Sequence, residues 1–274
     1  MLKNFLKKAI RNIKENCKKV LLKISSNNFK SKIGHQPDFT SYQFPTEKSV
    51  LEDIESKYGT PSEFAKLFSS HKGNLIHKWH HYLNLYDRYF SSFKKKKNLK
   101  FLEIGVSKGG SLQMWRKYFG DSATIFGIDI DQNCIKYNNL HGQVRIGSQT
   151  DKEFLESVVN EMGGIDIVLD DGSHKIKHIK DSLDILFPYL SREGIYFIED
   201  LHAAYWSFYG GGYNSKNFFN NTVIDLIHDM HRWYHFHSLK MSHISKECCG
   251  IHIHDSILVL EKNKTFKPHH SKQF

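Results

Sequence analysis

The spacing of hydrophobic residues changes character several times along the chain. Over residues 2–24, Leu2, Phe5, Leu6, Ala9, Ile10, Ile13, Val20, Leu21 and Ile24 recur at helical spacing, with most lysines on the opposite face and Leu22 off the stripe. This predicts an amphipathic helix. Ser25-Ser26-Asn27-Asn28, Gly34 and Pro37 then interrupt the pattern and predict a linker. Helical spacing returns over 61–93, through Phe64, Leu67 and Phe68, then Trp79, Leu83, Tyr86 and Phe90, with Pro61 suited to a first turn. From residue 99 short apolar runs predict strands at 99–105, 124–130, 143–146, 165–169 and 195–198. They alternate with helices at 112–118, 152–161 and 174–190. A helix over 217–236 and a strand over 251–261 follow. Strands alternating with helices predict an α/β fold with a mostly parallel sheet covered on both faces. The chain divides into a basic helix (1–30), a linker (31–56), a main domain (57–263) and a tail (264–274).

Composition sharpens this. Of 274 residues, 39% are hydrophobic and 14% aromatic, enough for a real core, so disorder of the whole chain is excluded. The net charge is +10, yet residues 1–30 hold nine basic groups and the single acid Glu15. The body is therefore nearly neutral, which weakens a reading of the whole fold as a polyanion binder and argues against a nucleic-acid partner. The basic helix suits an anionic membrane surface; docking on its own domain or on a second subunit is the alternative. No apolar run reaches the roughly 18–20 residues that span a bilayer, and residues 1–24 lack the plan of a secretory signal. Cys17, Cys134, Cys248 and Cys249 make no zinc spacing, so a reducing, cytoplasmic setting is expected, with the basic helix able to rest on the inner face of a membrane. His228, His231, His235, His237, His243, His252 and His254 crowd one stretch without interleaved acidic or cysteine ligands, which favours scattered histidines over a zinc site.

Two motifs carry chemistry. Phe101-Leu102-Glu103-Ile104-Gly105-Val106-Ser107-Lys108-Gly109-Gly110-Ser111 reads as strand, tight turn and helix start. Gly105 lets the chain leave the strand sharply, and Gly109 and Gly110 admit close backbone approach. The spacing is neither the dinucleotide fingerprint nor a phosphate-binding loop. About 20 residues after the turn, Asp129 ends the next strand, placed to accept ribose hydroxyls. A glycine turn with a ribose acid and no phosphate cradle points to S-adenosylmethionine (SAM).

The second motif is Asp170-Asp171-Gly172-Ser173-His174, followed one strand later by Glu199-Asp200. A right-handed strand–helix–strand unit brings both acidic ends to the carboxyl edge of the sheet. Carboxylates converging there call for a hard divalent cation, Mg²⁺ or Ca²⁺. Asp171 is assigned to the metal with Glu199 and Asp200, and Asp170, pointing elsewhere, to the cofactor side or a local turn. His174 is placed as general base.

At these residues the sequence resembles the SAM- and magnesium-dependent sugar O-methyltransferases that act on macrolide deoxysugars. The resemblance runs through residues 102–115, 127–131, Gly147-Ser148-Gln149, 170–174, 199–202 and Tyr205-Trp206, with Lys57-Tyr58-Gly59-Thr60 and Trp79-His80-His81-Tyr82 upstream. It covers roughly residues 57–263. It implies a Rossmann-like SAM-dependent methyltransferase fold with a seven-stranded sheet. It implies Mg²⁺ on Asp171, Glu199 and Asp200, with His174 as base. The cofactor-binding set is then Glu103, Gly105, Gly109, Ser111, Asp129, Ser148, Gln149 and Asp170. Thr60-Pro61 departs from the family's acidic-lysine pair, the lead-in is longer, and the family's large amino-terminal domain has no counterpart in these residues. The expected activity is O-methyl transfer to a sugar hydroxyl in glycan or glycosylated natural-product synthesis. The alternatives are a catechol or other vicinal diol as acceptor, or a non-catalytic membrane- or nucleic-acid-binding adaptor on a methyltransferase fold.

Overall fold

The alternation that begins at residue 99 builds one sheet. The computed structural model describes residues 39–213, 218–235 and 242–274. Among them the strands are β1 (Lys100–Ile104), β2 (Thr124–Asp129), β3 (Gln143–Ile146), β4 (Ile165–Asp170), β5 (Leu190–Ile198), β6 (Cys248–His254) and β7 (Ile257–Lys262). They lie in the order β3-β2-β1-β4-β5-β7-β6. The first five pair in parallel, and β7 enters antiparallel between β5 and β6. The helices are α1 (Val50–Tyr58), α2 (Glu63–Ser69), α3 (His80–Phe90), α4 (Gly110–Phe119), α5 (Lys152–Met162), α6 (Ile176–Leu186), α7 (Ile224–Met230) and α8 (His243–Glu247). The expected α/β architecture is present. The basic segment 2–24 and the linker up to residue 38 lie outside the described residues.

Each face of the sheet carries its own core. On one, Phe64 of α2, Tyr86 and Phe90 of α3, and Trp115 and Tyr118 of α4 meet Phe101 and Phe197 of the sheet, all buried. Phe64 stacks on Trp115 with ring centroids 4.6 Å apart. At about 1.5–3 kcal/mol for each large apolar side chain removed from water, this aromatic slab pins α3 to the sheet. The other face packs Leu155, Val158, Ile179, Leu183 and Leu226 of α5, α6 and α7. Strand β4 buries all six residues, as a central parallel strand should. Ser62 and Asp151 accept the Ala65 and Phe154 N–H groups and start α2 and α5.

Several expected boundaries move. Residues 50–56, read as linker, begin α1. The helix expected over 61–93 is two helices, because the segment 70–79 around Gly73 and Asn74 carries no helix. The helix expected over 174–190 stops at Leu186; a 3-10 turn containing Pro188 follows, and β5 already starts at Leu190. The single strand expected over 251–261 is a hairpin, β6–β7, turning at Asp255-Ser256, with Ser256 at φ 64°. The 217–236 helix resolves into a π-type turn (Phe219–Val223), α7 and a 3-10 turn.

Candidate active site

Strand register alone brings the acidic ends together. Ile104 of β1 is level with Asp170 of β4, and Asp170 with Ile198 of β5. The next residues, Gly105, Asp171 and Glu199, thus stand in one row, tied by Asp171 N–H to Ile104 C=O and Glu199 N–H to Asp170 C=O, each 3.0 Å. Alternation sends Asp170 to the α6 side and Asp171 and Glu199 to the α3 side. Both Asp200 (φ 54°) and His174 (φ 56°) take left-handed backbone, unusual for residues with a Cβ, and so aim their side chains back over this row.

One ligand atom each from Asp171, His174 and Asp200 lies within 4.8 Å of the others, the one such metal-competent trio among the described residues. The His174 Nε2 is 3.9 Å from Asp171 Oδ1 and 3.8 Å from Asp200 Oδ2. Tyr82 donates to Asp200 Oδ1 at 2.8 Å, and Tyr86 to Glu199 Oε1 at 2.6 Å. These two tyrosines are four apart on α3, hence on one helical face. Between Asp171 and Glu199 stands a buried ammonium: Lys78 Nζ is 2.5 Å from Asp171 Oδ2 and 2.8 Å from Glu199 Oε2. Burial works against the Lys78 charge, but Asp171, Glu199 and Glu103 hold its pKa above the ordinary lysine value. Burial lifts the Glu199 carboxyl, against the pull of Lys78. Lys78, Tyr82 and Tyr86 were not expected from sequence; the i, i+4 tyrosine pair just after Trp79 was the available signal.

These groups open into a cavity of about 270 Å³ lined by Lys78, Trp79, Tyr82, the turn from Gly105 to Ser111, Asp171, His174, Glu199 and Asp200. Gly105 (φ 99°) has no room for a Cβ, which would press into the Asp171 carbonyl oxygen. A Cβ on Gly110 would likewise meet the Asn74 and Leu75 carbonyls, so the lead-in to α3 lies directly on the turn.

Several expected cofactor residues stand behind this cavity rather than on its wall. Asp170 takes the local-turn alternative: it is buried, accepts from Ser182, Tyr196 and Gln149, and faces Gly172 N–H. Burial pushes its carboxyl up to about 6 against the Ser182 bond. Gln149 clasps the same loop, accepting Ser173 N–H at 2.8 Å, while the Ser148 hydroxyl pairs with Thr150. Asp129 accepts the Val106 and Ser107 N–H groups, both at 2.9 Å, and so holds the glycine turn; although burial opposes it, these bonds and that from Asp131 keep its pKa below the usual carboxylate range. Gly109 (φ 73°) caps α4 against the Tyr137 ring. Ser111 lines the cavity and donates to Glu103.

Glu103 is fully buried, accepting from Ser111 at 2.8 Å and Trp115 Nε1 at 3.0 Å. Burial pushes its carboxyl up to about 7, against Lys78, Trp115 and Ser111. The native state then keeps a proton that the unfolded chain has released, so stability falls as pH rises from about 4.5 to about 7, by about 3 kcal/mol at most. Glu103→Gln keeps an acceptor for Trp115 and stays neutral. Between pH 5 and pH 8 the urea midpoint should drop further for the wild type than for Glu103→Gln, in which the raised carboxyls of Asp170 and Glu199 still contribute; equal drops in both refute the assignment.

The rim is aromatic. Phe39, Trp79, His202 and Trp206 sit with ring centroids 4.8–5.9 Å apart. The loop 205–213 is hydrogen-bonded onto itself and its approach: Gly211 N–H reaches Trp206 C=O and Gly212 N–H reaches Ala204 C=O. Its Tyr209 ring stands 6.3 Å from that of His174. His178 bonds the Ser173 hydroxyl at 2.9 Å, steadying the loop before α6.

A family model described as a methyltransferase domain matches residues 102–201. The chain is 31% identical over 224 residues to the 8-demethyl-8-(2-methoxy-alpha-L-rhamnosyl)-tetracenomycin-C 3'-O-methyltransferase of Streptomyces olivaceus, covering 77% of this chain and 56% of that protein. It is 29% identical to the mycinamicin VI 2''-O-methyltransferase of Micromonospora griseorubida, covering 79% and 53%. A solved structure of MycE methyltransferase in complex with Mg, SAH and mycinamycin VI superposes with a TM-score of 0.61 at 28% identity, covering 80% of this chain and 56% of that one. The chain spans about half the length of the curated relatives it matches. The chain has the α/β methyltransferase fold seen in that solved structure, and over 77–80% of its length it is similar to O-methyltransferases of glycosylated natural products.

Proposed function

We propose that the protein is a SAM-dependent, divalent-metal-dependent O-methyltransferase acting on a sugar hydroxyl. One observation carries this: Asp171, His174 and Asp200 converge in the same cavity as the glycine turn. The relatives' names supply the acceptor class. The donor set fits a hard cation, being carboxylate oxygens, and the Lys78 ammonium already stands against two of the acids as a cation would. Asp171 and Asp200, with Glu199 beside them, are the residues to hold Mg²⁺.

When bound, the ion supplies Lewis acidity to an acceptor hydroxyl and SAM supplies the methyl group. The chain's own residues do the rest. Tyr82 fixes the Asp200 carboxylate by its hydrogen bond. His174 Nε2 takes the hydroxyl proton, and the oxygen forms its bond to the methyl carbon as the carbon–sulfur bond breaks. The turn from Gly105 to Ser111 closes one wall, and Trp79 and Tyr82 close another against water. The test is S-adenosylhomocysteine formation by the full chain with glycosides that carry adjacent hydroxyls, alongside a catechol. Turnover should stop in EDTA and return with Mg²⁺. Turnover that continues in EDTA removes the metal, turnover on the catechol alone removes the sugar, and no turnover with any acceptor removes the proposed activity.

A further inference from the structure

Two imidazoles flank the Asp200 carboxylate. His174 Nε2 stands 3.8 Å from Oδ2, and on the other side His202 Nδ1 stands 3.9 Å from Oδ1. The first is the base of the proposed reaction; the second takes no part in the proton transfer. His202 is held by Ser256, at the tip of the β6–β7 hairpin. The Ser256 hydroxyl accepts the His202 backbone N–H at 3.1 Å and pairs with Nδ1 of the ring, while the Ser256 carbonyl accepts Leu201 N–H at 3.0 Å. The left-handed backbone of Ser256, φ 64°, turns both groups toward this segment. The other ring nitrogen, Nε2, has no hydrogen-bond partner among the described residues, and the side chain is 26% exposed. The ring packs T-shaped against Trp79, which also lines the cavity, and tilted against Trp206. A polar atom set in an aromatic lining is the kind of group that orients a ligand and selects it.

We propose that His202 is an acceptor-binding residue whose Nε2 pairs with a hydroxyl of the sugar other than the one that gives its proton to His174, and that Ser256 is the positioning residue behind it. This rests on the sugar-methylation reading above and adds a determinant of which sugars are taken. A hydroxyl both donates and accepts, so it pairs with Nε2 in either tautomer of the ring. A sugar bound this way spans Asp200 from one imidazole to the other, and a sugar without that hydroxyl leaves Nε2 unsatisfied.

The experiment is steady-state kinetics of the full chain, with Mg²⁺ and SAM, on the glycoside with adjacent hydroxyls that it methylates fastest and on the monodeoxy analogues of that glycoside. His202→Phe keeps a ring against Trp79 and Trp206 but removes both nitrogens. It should raise the acceptor KM by about ten-fold and hold kcat within about three-fold. His202→Gln can place an amide nitrogen where Nε2 stands and should keep KM within about three-fold of wild type. One monodeoxy analogue should cost the wild type about the same ten-fold and cost His202→Phe nothing further. Ser256→Gly suits the left-handed turn, removes the hydroxyl, and should raise KM for the parent glycoside but not for that analogue. Electron paramagnetic resonance should find Mn²⁺ affinity unchanged in every variant. Should His202→Phe fail to fold, Ser256→Gly on the same acceptors decides. Unchanged KM overturns the proposal. A fall in kcat alone, a loss of Mn²⁺ binding, or a His202→Gln weaker than His202→Phe makes His202 a support of the Asp200 turn and overturns it too. A wild-type chain that methylates no glycoside removes the sugar reading itself, a result seen before any variant is compared.

Discussion

Replacing His174 by Asn should lower the rate of methyl transfer by about 10² to 10⁴, the usual contribution of a positioned base. The choice of Asn matters. His174 sits at φ 56°, where Asn is among the residues best tolerated, so the loop keeps its path while the imidazole disappears. The effect should fall on kcat, with SAM affinity and Mn²⁺ affinity little changed, because the hydroxyl proton loses its acceptor while the carboxylates remain. Rapid-quench single-turnover kinetics with a saturating acceptor measure the step directly. A variant that keeps the wild-type rate ends the role of His174 as base. One that loses Mn²⁺ binding in proportion to rate makes it a metal ligand, a role its place in the trio also permits.

The second large effect is on stability. Gly105→Ala forces a Cβ into the Asp171 carbonyl while the backbone stays at φ 99°. Strain of about 1–3 kcal/mol and overpacking of about 1–3 kcal/mol fall on a domain whose whole stability is of order 5–15 kcal/mol. Gly163→Ala is the control. That glycine is also left-handed (φ 72°), but a Cβ would meet only the flexible end of Lys100, so the expected cost is about 1–2 kcal/mol. Denaturant midpoints of both variants separate the clash from the backbone term. If Gly105→Ala costs no more than Gly163→Ala, the row of Gly105, Asp171 and Glu199 is looser than the geometry implies.

Much of the sheet could be read from the sequence because a buried parallel strand is a short apolar run, and here such runs end in glycine or acid. Period-2 alternation also separated Asp170 from Asp171. It did not reveal what each would touch. Glu103 precedes the glycine turn and was read as a cofactor residue; it faces Trp115, and that depends on which side α4 packs. Lys78 was missed for a related reason. A lysine in His77-Lys78-Trp79 has no periodic partner, and its neighbours are 93 and 121 residues away in sequence. The hairpin at Asp255-Ser256 was missed although two polar residues break the apolar run there.

The place of β7 in the sheet has a consequence for the order of assembly. β5 carries Glu199 and Asp200 at its end, and its second edge is paired by β7, residues 257–262. On the ribosome β5 is complete some sixty residues earlier than its partner, time enough for the parallel half to collapse around β1 and β4. Until Ile257–Lys262 emerge, that edge offers free N–H and C=O groups to any passing strand. The acidic row thus belongs to a nascent chain that is vulnerable to misassociation until its hairpin closes, and β7 completes the catalytic edge by sealing it.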